Sequence, residues 1–381
     1  MKNEILCGID RPELWLPLLK GKRICVLTHA PAVDRNYVRS ADVLCRSLNV
    51  AALCGPEHGL DGLAQAGVGV GFSRDAETGL PVYSLFQGGR DGGPSLADAL
   101  SDADAAVCDF CDIGARFYTY IWSMSDAMKI CAEKGVPFYV LDRPNPVGGV
   151  RCEGTLLEPG FSSFVGRFPI PVRHGLTLGE AAKLFNERYS IGCDLTVIPV
   201  SGWTRSCEFE ETGRVWINPS PNMTGPDCAR IFCGTCFLEG TNVSEGRGTT
   251  RPYEMIGAPF VDPAALARKL NAFRIPGVVA RACRFKPTAD KYAGEVCGGV
   301  QFLLTDRKRA DCFAAGVRLL DILRNDCPDF EYGDRAGHFD RLMGSDRFRT
   351  GGISADELIE RGREESLEFL RSVRAYMLYG G

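Results

Sequence analysis

The feature that most constrains this chain is an alternation of short apolar runs with amphipathic segments in its first half. Apolar runs at residues 23–28, 50–53, 81–85, 105–110 and 137–141 predict buried strands. The segments between them, such as 40–48 and 119–134, have the spacing of amphipathic helices. Strand, helix and strand with short joins predict a parallel sheet with right-handed crossovers. We therefore expect an α/β fold.

The length of the chain predicts more than one domain. At 381 residues it exceeds the typical size of a single domain. The polar loops become sparser after Pro259, so we expect a Rossmann-like catalytic domain at 1–258 and a smaller α/β auxiliary domain at 259–381. A formal net charge of −4 provides no basic face for nucleic acid.

The turn after the first predicted strand excludes a dinucleotide-binding enzyme. Residues 28–34 contain no glycine, although the phosphate-binding fingerprint needs glycines at that junction. Two CxxC pairs, Cys108/Cys111 and Cys233/Cys236, lack the second ligand pair of a zinc site. We therefore expect no cofactor and no metal.

Targeting signals are also missing from the sequence. Residues 1–6 have no apolar core of a signal peptide, and no apolar run is long enough to span a membrane. The expected location is cytoplasmic, or periplasmic or secreted if a leader has been removed. The oligomeric state does not follow from the sequence.

An acid and an imidazole stand at the end of the second predicted strand. The run 50–53 breaks at Gly55-Pro56 and continues as Glu57-His58-Gly59. In open α/β sheets, ligands bind outside the carboxyl ends of the strands, so Glu57 and His58 are expected to face a substrate. The alternative is a tight turn that carries a solvated acid.

Two further strand ends and two loops carry polar side chains. The strand ends are expected to converge with Glu57 on one crevice, although each group alone is also typical of a buried ion pair. The strand ends contribute Asp112, Arg116, Tyr118, Asp142, Arg143 and Asn145. The middle of the chain adds Arg173, His174, Asn222 and the polar loop at 239–252, with Glu239, Thr241, Asn242, Ser244, Glu245, Arg247 and Arg251. Thr177 and Glu180 instead form the pattern of a helix capping box.

Six motifs resemble, in order, those of the exo-acting β-N-acetylmuramidases. They are GPEHGL, CDIGARFYTY, LDRPNPVGG, PIPVRHGLTLGE, INPSPNM and GTCFLEGTNVSEGRGTTRPYE. The resemblance implies a Rossmann-like domain without nucleotide, a smaller C-terminal α/β domain, and removal of terminal N-acetylmuramic acid from the non-reducing end of peptidoglycan fragments. It makes Glu57 the leading catalytic carboxylate, with His58 and the 239–252 loop beside it. His29-Ala30-Pro31 and Cys111 depart from the family pattern.

The chemistry of glycoside cleavage assigns roles to these groups. One carboxylic acid must protonate the leaving oxygen, and a second group must stabilise or attack the sugar cation. Glu57 is the predicted general acid, and the second group is Asp112, Glu239, Glu245 or the acetamido group of the substrate. Muramic acid carries a lactyl carboxylate, and arginine binds carboxylates through paired hydrogen bonds. Arg247 or Arg251 is the favoured partner among the predicted arginines.

Two other function classes remain open from the sequence. One is a carbohydrate-binding or sensor protein for muropeptides that has the pocket without turnover. The other is a hydrolase of amides or esters that uses His58 or His174 with a nucleophile. Against the second, there is no GxSxG motif, and Cys54, three residues before Glu57, is expected to be a core residue and not a nucleophile.

Overall fold

The structure is a computed structural model that describes residues 4–86 and 95–380. Residues 1–3 of the N-terminal segment 1–6 lie outside the described residues. No helix in the described ranges is both long and apolar enough to cross a membrane.

A seven-stranded sheet forms the first half of the chain. Its strands are β1 (Arg23–Thr28), β2 (Asn49–Gly55), β3 (Ser73–Arg74), β4 (Pro81–Ser84), β5 (Ala105–Asp109), β6 (Phe138–Leu141) and β7 (Leu195–Ile198). They lie in the order β3-β4-β2-β1-β5-β6-β7, and all neighbours are parallel except β3 and β4. The strand order reverses between β1 and β5. This confirms the predicted α/β fold with a mostly parallel sheet.

The central strands are buried on both faces, which explains their continuous apolar runs. Every residue of β5 is buried, as are all residues of β1 after Arg23. Polar side chains therefore collect beyond the carboxyl ends of the strands, where the chain leaves the sheet.

Eleven α-helices lie within the described residues. They are α1 (Pro12–Leu19), α2 (Ser40–Cys45), α3 (Leu96–Ala99), α4 (Tyr120–Lys134), α5 (Leu178–Arg188), α6 (Pro226–Thr235), α7 (Pro263–Ala272), α8 (Cys312–Asp326), α9 (Ala336–Met343), α10 (Arg347–Thr350) and α11 (Ala355–Ser372). Thr177 caps α5 and Glu180 closes the capping box, as predicted. The last helix, α11, ends at Ser372, and a 3-10 turn, Arg374–Tyr376, follows.

A three-stranded antiparallel sheet forms the second unit. Its strands are β8 (Met255–Ala258), β9 (Val278–Phe285) and β10 (Cys297–Leu304), in the order β8-β10-β9. The predicted domain division after residue 258 stays a prediction. Strand β8 lies before that division in sequence, yet it pairs with the small sheet.

Helices α6 and α8 pack together at two glycines. A Cβ atom on Gly316 would lie 1.7 Å from the carbonyl oxygen of Gly234, and a Cβ on Gly234 would lie 1.8 Å from the carbonyl oxygen of Cys312. Such contacts are impossible for any other residue, so the two helices meet backbone to backbone. This contact holds the loop that follows α6 against the second unit.

The C-terminal segment is tied to the edge of the large sheet. The hydroxyl of Tyr379 donates to Asp142 Oδ2 at 2.5 Å and accepts the N–H of Val200 at 2.9 Å. Burial raises the pKa of Asp142 to about 6, although hydrogen bonds from Tyr379, Gly179 and Thr177 lower it. The ionised form of Asp142 therefore depends on these donors.

We expect Tyr379→Phe to lower the free energy of unfolding by about 1.5–3 kcal/mol near neutral pH, because a hydrogen bond to a charged group is lost. A raised folded pKa stabilises the protein at low pH, and this contribution is lost as pH rises through the folded value. Removing the donor raises the pKa of Asp142 further, so the penalty should be larger at about pH 8 than at about pH 4. Urea denaturation at both pH values measures this difference. An equal penalty at both would show that the hydrogen bond to Asp142 is not its source.

Candidate active site

A tight turn after β2 positions Glu57. The N–H of Gly59 donates to the carbonyl of Pro56 at 3.0 Å, and His58 has a left-handed φ of 73°. That conformation is uncommon for a residue other than glycine and often marks a functional site. His58 Nδ1 lies 2.7 Å from the carbonyl oxygen of Ala64, which can only accept, so Nδ1 carries the proton.

The carboxylate of Glu57 is buried and held at both oxygens. Its Oε1 accepts the backbone N–H of Gly67 at 2.8 Å, and its Oε2 accepts the hydroxyl of Thr119 at 2.8 Å. A backbone N–H can only donate, whereas a hydroxyl can also accept. Oε2 is therefore the oxygen that can carry a proton, because the Thr119 hydroxyl can rotate away from donating to it.

Glu57 faces a cavity of about 280 Å³. This volume is near the lower end of the ~300–1,000 Å³ typical of small-molecule sites. Most of the side chains that line the cavity are polar or aromatic, and they come from both halves of the chain: Glu57, His58, Ala66, Gly67, Phe86, Phe117, Tyr118, Thr119, Phe164, Val165, Ser220, Asn222, Met223, Phe232, Cys236, Glu239, Arg247, Tyr253, His338 and Leu342. We call it the catalytic cavity, after the role that the sequence predicts for Glu57.

A second carboxylate, Glu239, lines the same cavity. Its Oε1 accepts from Arg247 Nη2 at 2.7 Å and from the hydroxyl of Tyr253 at 2.8 Å. Its Oε2 lies 3.5 Å from His338 Nε2. Burial alone raises the pKa of Glu239, but the charge of Arg247 and the hydrogen bonds outweigh it and lower the pKa to about 2. Glu239 is therefore ionised at neutral pH and cannot act as a proton donor.

Arg247 is held in place by Glu245, which is itself bound by Lys291. Glu245 accepts from Arg247 Nε at 3.0 Å and from Lys291 Nζ at 2.9 Å. Lys291 also donates to the carbonyls of Leu238 and Val243. Glu245 is buried and outside the cavity lining, so it positions Arg247. The side chain of Lys291 is a buried part of this network.

Several predicted substrate residues are instead buried in structural hydrogen bonds. Arg143 pairs with Asp109, Arg173 pairs with Glu153, and Asn145 bonds the backbone at Val147 and Leu176. Arg116 donates to four backbone carbonyls. None of these four side chains lines the catalytic cavity, because each is held in hydrogen bonds or an ion pair within the interior.

Asp112 and His174 form a separate buried pair. His174 Nε2 lies 3.4 Å from Asp112 Oδ2, and Asp112 also accepts the N–H of Gly114 at 2.7 Å. Asp112 and Arg143 line a smaller cavity of about 70 Å³ beyond β1, β5 and β6. The expectation of one crevice shared by three strand ends is corrected. Glu57 and Tyr118 reach the catalytic cavity, whereas Asp112 and Arg143 line the other one.

The predicted residues of the polar loop at 239–252 also fall into two groups, those in structural hydrogen bonds and those that line the catalytic cavity. Thr241, Asn242 and Ser244 form hydrogen bonds with backbone groups of residues 238–246 or 329–331. Arg251 is exposed and pairs with Glu254 at 3.3 Å. Of the predicted loop residues, only Glu239 and Arg247 line the catalytic cavity, together with Asn222 from the preceding loop.

Sequence reasoning missed Thr119, Tyr253 and His338. Thr119 and Tyr253 stand inside two of the family-like motifs, so those motifs were the available signal. His338 lies on α9, which was not predicted and carries no motif; the only hint was that the chain has four histidines in all.

The two departures from the family pattern contact each other. The N–H of Cys111 donates to His29 Nε2 at 2.8 Å, and Cys111 Sγ donates to the carbonyl of Pro31 at 3.3 Å. Burial lowers the pKa of His29, so its ring is neutral and can accept this bond. Both residues lie outside the lining of the catalytic cavity.

The described residues contain no group of three or more His, Cys, Asp and Glu side chains arranged to hold a metal ion. Cys54 lies in β2, 3.4 Å from Cys25 Sγ, and that contact together with burial raises the pKa of its thiol. A thiol in this environment is a poor nucleophile.

Comparison with known proteins identifies close relatives over the whole chain. Sequence models of the N-terminal and C-terminal regions of the exo-β-N-acetylmuramidase NamZ match residues 24–227 and 230–379. The peptidoglycan β-N-acetylmuramidase NamZ of Bacillus subtilis (strain 168) is 42% identical over 386 aligned positions, which cover 99% of this chain and 92% of that protein.

Two crystal structures of DUF1343 family proteins from Bacteroides fragilis NCTC 9343 have the same fold. One superposes with a TM-score of 0.88 at 32% identity, and the other with 0.76 at 29%. Each comparison covers 99% of both chains.

Proposed function

The chain belongs to the exo-β-N-acetylmuramidase NamZ family, and on that premise we propose that it is a glycoside hydrolase that releases N-acetylmuramic acid from the non-reducing end of peptidoglycan fragments. The observation that supports this most directly is the catalytic cavity, which places a protonatable carboxyl, Glu57, in the same small space as an ionised carboxylate, Glu239.

Glu57 is the proposed general acid. Its Oε2 would give a proton to the glycosidic oxygen, and Gly67 holds the other oxygen still through a backbone hydrogen bond. The carboxylate left behind is then stabilised by hydrogen bonds from Thr119 and Gly67. A positioned acid of this type accelerates bond cleavage typically by about 10²–10⁴-fold.

Glu239 is the proposed second carboxylate. Of the three acids that the sequence left open, Asp112 and Glu245 lie outside the cavity lining, whereas Glu239 lines it and is ionised. A fixed negative charge stabilises the oxocarbenium-like transition state of glycoside cleavage. The acetamido group of the substrate remains the alternative nucleophile. Fluorinating the acetamido group distinguishes the two: kcat should fall steeply if its oxygen attacks the sugar carbon, and should change little if Glu239 stabilises the sugar cation instead.

The test of the activity is release of a chromophore from a β-linked N-acetylmuramic acid glycoside, with the N-acetylglucosamine glycoside as control. We expect selective hydrolysis of the muramic substrate. Turnover of neither glycoside by folded protein would instead favour a muropeptide-binding protein.

Arg247 is the proposed partner of the lactyl carboxylate. It lines the catalytic cavity, and in the described part of the chain its Nη1 has no hydrogen-bond partner, whereas Nε and Nη2 are held by Glu245 and Glu239. Arg251, the other favoured residue, is exposed and outside the cavity lining.

We expect Arg247→Lys to weaken binding of the muramic glycoside by about 1.5–3 kcal/mol, because a hydrogen bond to a charged group is lost while the charge is retained. Binding of an N-acetylglucosamine analogue should change little. Arg251→Lys is the matched control and should leave both unchanged. Inhibition constants measured for the two sugars provide the comparison, and equal losses for both would contradict the assignment.

A further inference from the structure

An open groove continues from the catalytic cavity. It has a volume of about 950 Å³ and is lined by Gln65, Ala66, Pro221, Asn222, Arg247, Gly248, Thr249, Thr250, Met255, Phe285, Lys286, Thr288, Ala289 and Asp290. Three residues, Ala66, Asn222 and Arg247, line both spaces. A ligand held in the cavity can therefore extend into the groove past Arg247.

The two spaces differ in the size of ligand that they suit. The cavity, at about 280 Å³, is close to the lower limit of ~300 Å³ for small-molecule sites, and the groove is close to the upper limit of ~1,000 Å³. An exo-acting enzyme needs such a pair, because one terminal sugar must be enclosed while the rest of the chain stays outside.

One wall of the groove is rigid. The N–H and the hydroxyl of Thr288 both donate to the carbonyl of Gly248, at 2.9 and 2.8 Å. Gly248 has a φ of 76°, and a Cβ there would lie 2.4 Å from the backbone nitrogen of Ala289. The two loops are thus clamped together in a conformation that requires glycine. The groove lining also presents two amides, with Asn222 Nδ2 donating to Gln65 Oε1 at 3.3 Å.

The groove carries an uncompensated positive charge. Lys286 is exposed on its surface and has no ion-pair partner among the described residues. Asp290, the acidic residue in the groove lining, lies 3.8 Å from Arg247 Nε and does not pair with Lys286. An anionic group that enters the groove would therefore meet Lys286.

We propose that this groove binds the leaving saccharide and that Lys286 binds the carboxylate of its second sugar. The inference rests on the proposed function. Muramic acid alternates with N-acetylglucosamine in peptidoglycan, so when one muramic acid occupies the cavity, the first sugar of the leaving chain is neutral. The next sugar again carries a lactyl group, whose carboxylate is free when no peptide is attached to it and would then bind Lys286.

The test compares a substrate that fills the groove with one that does not. The first is the trisaccharide of muramic acid, N-acetylglucosamine and muramic acid, and the second is the chromogenic muramic monosaccharide. We expect Lys286→Ala to raise KM for the trisaccharide about three- to fivefold, as for an exposed ion pair, and to leave the monosaccharide unchanged. The effect should shrink at high salt, and Lys286→Arg should retain most of the wild-type value.

Lys20→Ala, which removes an exposed lysine outside the groove, is the matched control. Equal effects of Lys286→Ala on both substrates, or no effect on either, would overturn the proposal. Direct binding provides a second readout: the trisaccharide should bind wild type more tightly than its carboxyl-reduced form, and Lys286→Ala should abolish that difference. If neither substrate is hydrolysed, the proposed function fails, but the binding comparison still decides the role of Lys286.

Discussion

Replacing Glu57 by Gln should lower kcat for the muramic glycoside by about 10²–10⁴-fold, the range typical of a positioned general acid. Glutamine retains an oxygen that can accept the hydrogen bond of Gly67 or Thr119, but it has no proton to give to the leaving oxygen. The free energy of unfolding and the affinity for a muramic acid inhibitor should therefore change little. Steady-state kinetics, thermal unfolding and inhibitor binding measure the three quantities.

A matched control is available on the same half of the chain. Glu77 is an exposed acid, and Glu77→Gln should leave kcat unchanged. Thr119→Val should have a smaller effect than Glu57→Gln, since it removes only a hydrogen bond to the acid. If Glu57→Gln retained more than about a tenth of wild-type kcat, Glu57 would not be the general acid.

The second large effect is expected at Arg116. Replacing it by Met should lower the free energy of unfolding by about 3–5 kcal/mol, because buried carbonyls lose a charged donor. The guanidinium donates to the carbonyls of Thr155 and Ile170 and, across the molecule, to those of Leu342 and Met343. Burial lowers the pKa of Arg116 to about 10, which still leaves it charged at neutral pH. Chemical denaturation measures the loss.

This substitution also separates the structural role from the substrate-binding role that the sequence predicted. The folded fraction of the variant should have a normal KM for the muramic glycoside, since Arg116 lies outside the catalytic cavity. If Arg116→Met fails to fold, Arg116→Lys preserves the charge and should be destabilised less. A raised KM with unchanged stability would restore Arg116 as a ligand residue.

The large sheet was predictable because its signals are local. A continuous apolar run is required wherever a parallel strand is buried on both faces, so β1, β2, β4, β5 and β6 were found near their true ends. Glu180 was correctly separated from the acids of the site, because its spacing from Thr177 is that of a capping box. By contrast, β8 and α9 were missed, since short elements with mixed polarity have no comparable periodicity.

The candidate site was only partly predictable. Glu57, Glu239 and Arg247 are all polar residues of family-like motifs and all line the cavity. Arg116, Arg143 and Arg173 stand in similar motifs but are buried in hydrogen bonds and ion pairs. A motif shows which residue type stands at a position but not why it is needed there. A buried arginine that satisfies interior partners is needed as strictly as one that contacts a ligand, so the motif alone does not distinguish them.

The sequence by itself therefore determined the fold class, the family and the position of Glu57, because periodicity, turn chemistry and motif order are properties of neighbouring residues. Only the tertiary structure decided which polar side chains share a cavity. Glu57 and Glu239 are brought together by the packing of the two halves of the chain, and His338 joins them from a helix without any motif. Distances between remote residues depend on that packing, and no local pattern in the chain encodes them.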